Sequence, residues 1–214
     1  MIIMIAGTKG GTGKSTIAIN AAVYQAHQKR DVLLVDLDPE QETSYLWAGR
    51  RATNWKNAPT VHREKASGDI YDVISDRAER YQDIIIDAGG YDSDAMRTGM
   101  LATSRVYFPI RPSQADLESI PRIKTLVQDV SKVNRGLRPH LVLSQVPTNQ
   151  SGEEEGAREW LSEIEEFTLL NQSVKERKAY RDALVEGVGA IEMDDRKAKT
   201  EIKTLAEEMF NGQS

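Results

Sequence analysis

The chain has 214 residues, with 28 lysine and arginine side chains against 33 aspartates and glutamates, a formal net charge of −5. A hydrophobic content of 39% and a charged content of 29% exclude the composition that keeps a chain unfolded, and the length suits one domain over 1–214. Zero cysteines exclude a disulfide framework, a thiolate metal site and a cysteine-ligated cluster, while net acidity argues against an overall basic coat for nucleic acid but leaves room for a local patch.

The opening apolar run is far short of the roughly 20 residues that cross a bilayer and lacks the basic start of a secretory signal. It reads as a buried first strand at 2–6, followed by a glycine-rich loop and a helix at 15–28. Strands follow at 32–36, 83–87, 106–110, 141–145 and 167–170, with helices at 71–80, 116–133, 153–165 and 196–210. Several of the strands are apolar without alternation, as strands covered on both faces are. The alternation predicts an α/β fold, a mostly parallel central sheet with helices on both faces.

The loop after the first strand reads Gly7-Thr8-Lys9-Gly10-Gly11-Thr12-Gly13-Lys14-Ser15-Thr16. Its glycines let successive N–H groups point inward as an anion nest closed by a helix N-terminus. Lys14 suits the β- and γ-phosphates of a nucleotide, and the Ser15 hydroxyl suits Mg²⁺. The general pattern G-x-x-x-x-G-K-[ST] fails only at Thr8. Two further carboxylate segments end strands at the carboxyl edge, where α/β sheets place their chemistry: Asp36-Leu37-Asp38-Pro39-Glu40-Gln41, and Asp83–Asp87 followed by Ala88-Gly89-Gly90. An aspartate before a helix near Gln41 could equally be its cap.

Lys9-Gly10-Gly11-Thr12-Gly13-Lys14-Ser15 resembles the deviant phosphate loop of the ParA/MinD superfamily, KGGxGK[ST], whose first position varies. The resemblance implies a P-loop ATPase with ATP and Mg²⁺ that closes as a nucleotide-sandwich homodimer. The cofactor-binding set it implies is Lys9, Gly10, Gly11, Thr12, Gly13, Lys14, Ser15 and Thr16, with Lys9 reaching the phosphates of the partner subunit. It makes Asp38 the residue that positions or activates the attacking water. Asp36 would support the Mg²⁺ shell or the loop itself, and Asp87 would be a water-mediated metal ligand beside Ser15. This chain carries Glu40 where the family has glutamine directly after the proline. It has Ala88-Gly89-Gly90 in place of Thr-Pro-Pro, which predicts a more flexible loop with the γ-phosphate contact at the Gly89 or Gly90 amide.

Farther along, Pro109 to Asp116 resembles the family's P-x-x-P-s-x-x-D segment, with Asp116 a candidate helix cap. Adenine is expected between the loops after Gln145 and Leu170. Residues 173–183, with Gly187 and Glu192, resemble the small ParA-type (ParF-like) plasmid partition ATPases. That likeness implies an ATP hydrolase with weak intrinsic turnover, nucleoid-associated in the cytoplasm and stimulated by a centromere-binding ParB-type adaptor. It also implies non-specific DNA contact through Lys175, Arg177, Lys178 and Arg181 in the ATP-closed dimer, although Glu176 and Asp182 dilute that basic signal. The alternatives are a MinD-like membrane-associated positioning ATPase and a ParA-like positioner of a protein cargo. Ile202, Leu205, Ala206, Met209 and Phe210 form one stripe of the last helix, and Glu207 and Glu208 beside them favour docking on the domain over stable membrane association. The three histidines show no metal-ligand spacing.

Overall fold

Val32–Asp36 and Asp83–Asp87 are strands over the residues the sequence indicates, and every position of both is buried. The structure, a computed structural model, describes residues 1–90, 92–149 and 151–211. In chain order its elements are β1 Ile2–Ile5, α1 Lys14–His27, β2 Val32–Asp36, α2 Thr43–Asn54, β3 His62–Lys65, α3 Tyr71–Ala78, β4 Asp83–Asp87 and α4 Asp94–Ala102. They continue with β5 Arg105–Ile110, α5 Gln114–Leu117, α6 Ile120–Ser131, β6 Arg138–Leu143, α7 Ser151–Ser162, β7 Thr168–Leu169, α8 Lys178–Glu186, a 3₁₀ turn at Ala190–Glu192 and α9 Arg196–Asn211.

Among the described residues the seven strands form one sheet in the order β3-β2-β4-β1-β5-β6-β7, with every pairing parallel. Alternate residues of each central strand feed two separate cores. Ile3, Ile5, Leu34, Ile85 and Val142 pack under α1 and α9, while Met4, Leu33, Val35, Ile84, Ile86 and Leu143 pack under α4 and α6. Two covered faces explain the unbroken apolar runs, since each fully buried aliphatic side chain contributes about 1.5–3 kcal/mol.

The boundaries depart from the sequence reading where local chemistry intervenes. The helix expected over 116–133 is two, α5 and α6, because Pro121 in the first turn of α6 has no N–H with which to continue the preceding turn. β6 lies earlier than 141–145; it begins with Arg138, and Gln145 leaves the sheet with φ of 52°. The last helix docks as expected: Ile202, Leu205, Ala206, Met209 and Phe210 are all buried, and the rings of Phe210 and Tyr24 stack at 6.4 Å. No described helix is long and apolar enough to cross a membrane.

Candidate functional site

The carboxyl ends of β1, β2, β4 and β6 surround a cavity of about 370 Å³ whose floor is the glycine loop and the start of α1. Gly11 and Gly13 have φ of 70° and 91°, values that disfavour a side chain. At Gly13 space forbids one as well, because a Cβ would stand 2.6 Å from the Ser144 hydroxyl. Gly13 caps α1 with no side-chain bond, and the first turn carries no acid, so its free amides and dipole face the cavity. Gly10, Gly11, Gly13, Lys14, Ser15 and Thr16 line it; Thr12 is buried in the loop, its hydroxyl without a partner.

Lys14 is 7% exposed and donates to the Lys9 carbonyl at 2.7 Å. Burial lowers its pKa, against the opposing pull of Asp87 and Asp38. A buried cation among donors, within electrostatic reach of the Asp38 and Asp87 carboxylates, is arranged for a polyanion carrying its own metal. Lys9 points away. Its ammonium donates to the Ala115 carbonyl and, at 3.3 Å, to Asp116, outside the cavity that its own loop encloses.

Asp38 lines the cavity, and one of its oxygens accepts from the Glu40 amide at 3.1 Å and the Gln41 amide at 3.0 Å, which fixes the carboxylate at the rim. Asp36 has both carboxylate oxygens engaged by the protein. It does not line this cavity: one oxygen accepts from the Asp38 amide at 2.9 Å, and the other from the Ser44 amide and hydroxyl and the Tyr45 amide at 2.9–3.0 Å. These contacts hold the loop and the start of α2, in keeping with the second of the two roles the sequence left open.

Asp87 sits at the end of β4 with one carboxylate oxygen buried and unpartnered. Burial, reinforced by Asp36, pushes its pKa up to about 7, although hydrogen bonding to Ser15 and Ser44 and the charge of Lys14 pull the other way. An orphaned carboxylate oxygen beside a serine hydroxyl fits Mg²⁺. Among the described residues no group of three or more histidine, cysteine or acidic side chains could cage a metal, and Mg²⁺ keeps waters and substrate phosphates as ligands.

The loop after β4 meets the phosphate loop at Gly90. A Cβ on Gly90 would stand 2.8 Å from the Gly10 nitrogen and 3.0 Å from its Cα, so the two loops lie backbone against backbone. Glycine serves close approach here, which brings the Gly90 backbone to the cavity.

A second cavity of about 270 Å³ continues from the first and shares Gly13, Thr16 and Gln145 with it. Its walls include Ser144, whose hydroxyl is buried and unpartnered, with Val174, Lys175, Glu176 and Tyr180. This lies near the place expected for adenine. Sequence reasoning did not find Ser144, and its only signal is a hydroxyl at the end of an apolar strand facing the phosphate loop.

The basic residues assigned to DNA do not form a bare positive patch, because acids neutralise each of them. Lys175 pairs with Glu154, Arg177 with Glu201 at 2.8 Å, Lys178 with Asp182 at 2.6 Å and Arg181 with Glu176 at 3.5 Å. Lys175 and Arg177 are the less accessible pair, and both line the second cavity with Arg181. Glu201 of α9 is the keystone there: it accepts from the Lys175 amide at 2.7 Å, the Arg177 guanidinium and the Tyr180 hydroxyl at 2.6 Å. Lys178 and Arg181 are the exposed members, at 79% and 65%.

The chain is similar over its whole length to known proteins. It is 26% identical over 215 residues to the Maintenance of carboxysome distribution protein A of Halothiobacillus neapolitanus, covering 97% of this chain and 95% of that protein. It is 25% identical over 187 residues to Protein ParA of Rhizobium radiobacter, covering 84% and 80%. Its fold matches the septum site-determining protein MinD of Pyrococcus horikoshii complexed with Mg-ADP, with a TM-score of 0.76, 20% identity and coverage of 98% and 95%. The family model of the CobQ/CobB/MinD/ParA nucleotide-binding domain matches residues 3–191, where the phosphate loop, Asp38 and Asp87 all lie, and the chain belongs to that family.

Proposed function

We propose that this chain is a ParA-type ATPase that binds ATP with Mg²⁺, closes as a sandwich dimer and reopens on hydrolysis. The observation that carries the reading is the division of labour between two lysines of one loop. Lys14 is buried over its own cavity, while Lys9 stands outside it, which supports a role for Lys9 toward another subunit. The amide nest and Lys14 hold the phosphates, with Thr16 at the start of α1. Mg²⁺ bound beside Ser15 and Asp87 would neutralise charge on the β- and γ-oxygens. Asp38, held at the rim by two backbone amides, orients the attacking water, and slow turnover until an adaptor binds makes hydrolysis a timer.

In the closed dimer, non-specific DNA contact through Lys178 and Arg181 would make the chain a nucleoid-associated partition protein of the cytoplasm, released when a centromere-binding ParB-type partner stimulates hydrolysis. Two copies double a weak patch, so a net charge of −5 is no obstacle. A second reading, positioning of a protein cargo on the same cycle, is favoured by the full-length likeness to the carboxysome distribution protein. The burial of the apolar stripe of α9 supports neither stable membrane association nor a MinD-like role.

The test is size and DNA retention with ATP, ADP and no nucleotide on unrelated duplexes, with anionic vesicles in parallel. A dimer that holds DNA only with ATP is the expected result. A chain that stays monomeric with ATP overturns the cycle, and retention on vesicles alone overturns the DNA reading.

A further inference from the structure

Lys9 does not occupy Asp116 alone. Arg111, at the end of β5, places its Nε 3.6 Å from the second oxygen of the same carboxylate, and its Nη2 donates to the Gly11 carbonyl. Asp116 is 7% exposed, whereas both cations have side chains 40% exposed. One carboxylate therefore holds two cations on the rim of the phosphate loop and can neutralise only one. Its grip on Arg111 is loose, since neither that oxygen nor the Arg111 Nε has a hydrogen-bond partner among the described residues. Arg111, like Lys9, lies outside the cavity of its own subunit, with the Gly11 backbone between the guanidinium and the space for phosphate.

We propose that Arg111 is a second cation delivered in trans, released from Asp116 together with Lys9 to contact the phosphates bound by the partner subunit. A guanidinium offers a planar fork of donors that suits phosphate oxygens, where an ammonium is a point charge. Arg111 follows β5 but reaches the Lys9 loop through the Gly11 carbonyl and shares Asp116 with Lys9, so a two-fold partner that receives Lys9 meets this same rim. The proposal rests on the sandwich dimer proposed above.

The experiment combines Arg111→Ala with subunit mixing. Arg111→Ala alone should bind ADP within about twofold of wild type, because the residue lies outside its own cavity. Its ATP turnover should fall about tenfold or more, in kcat rather than KM, with partial rescue in Arg111→Lys. Arg111→Ala is then mixed with Lys9→Ala. If Arg111 acts in trans, each nucleotide in the mixed dimer lacks one of the two cations and turnover does not recover. If it acts in cis, one of the two sites is whole, and equal mixing returns about a quarter of wild-type turnover. Lys9→Ala mixed with Asp38→Ala is the positive control, because Asp38 lines its own cavity. Recovery in the first mixture, unchanged turnover in Arg111→Ala, or a parallel loss of ADP affinity overturns the proposal. A wild-type chain that stays monomeric with ATP overturns it along with the sandwich reading, whereas wild-type dimers with an unaffected Arg111→Ala variant overturn this inference alone.

Discussion

Gly90 and Gly10 approach so closely that a methyl group on Gly90 would come 2.8 Å from the Gly10 amide nitrogen. The phosphate loop and the loop after β4 therefore touch through backbone atoms alone. Gly90→Ala must push one backbone off the other, at a cost of about 1–3 kcal/mol. Denaturant unfolding should show that loss, and nucleotide affinity should fall with it. A variant with wild-type affinity would show that the contact carries no functional constraint.

Asp87 predicts a pH dependence. Its carboxyl has an ordinary value of 3.8 and is pushed up to about 7 in the fold, so between those limits the folded state keeps a proton that the unfolded chain releases. This contribution therefore makes the nucleotide-free protein less stable as pH rises from 4 to 7. Asp87→Asn should remove that slope and raise nucleotide-free stability at pH 8 by about 1–3 kcal/mol, while abolishing the Mg²⁺ dependence of nucleotide binding. Unfolding at pH 5 and pH 8 with both proteins gives the comparison.

Asp36 and Asp38 stand two residues apart and should fail differently. Asp36→Ala strips the acceptor from four donors around the start of α2, and should cost about 3 kcal/mol or more of stability. Asp38→Ala loses two amide contacts at an exposed turn and should remain folded, bind ATP and dimerise, yet hydrolyse poorly. Calorimetry with a phosphate-release assay separates the two outcomes. Wild-type turnover in Asp38→Ala would remove its assigned role.

The basic residues of the C-terminal third divide in the same way. Arg177→Ala leaves Glu201 buried without its guanidinium, and should cost about 2–4 kcal/mol and loosen the second cavity. The exposed pairs of Lys178 and Arg181 contribute little to stability, about 0–1 kcal/mol. Replacing both by alanine should leave folding intact, lower ATP-dependent DNA affinity and reduce the slope of log affinity against log salt by about 0.9 per lost contact. An unchanged slope would take these two residues out of the DNA interface.

The residues of the phosphate loop and the strands that carry Asp36 and Asp87 were legible because their signals are local: glycines at fixed offsets, and apolar runs ending in acid. β3 was not, since it is the edge strand His62-Arg63-Glu64-Lys65, whose charged side chains suit an edge and hide its strand character. α2 was hidden by arginines: Arg51 is 3% exposed but bonds Glu192 and the Pro59 carbonyl, contacts that only the fold supplies. Lys9 with Asp116 and Arg177 with Glu201 are likewise pairs between distant segments, so the type of a residue announced a charge but not its counterion.

Glu201 ties the wall of the second cavity to α9. It lies on α9, which packs on the α1 that the phosphate loop opens, and it holds Lys175, Arg177 and Tyr180 in the wall of the second cavity. Occupancy of that cavity should thus be readable as slower amide hydrogen exchange along α9. A fluorophore near the helix's outer face could then report the ATP cycle without touching the site that drives it.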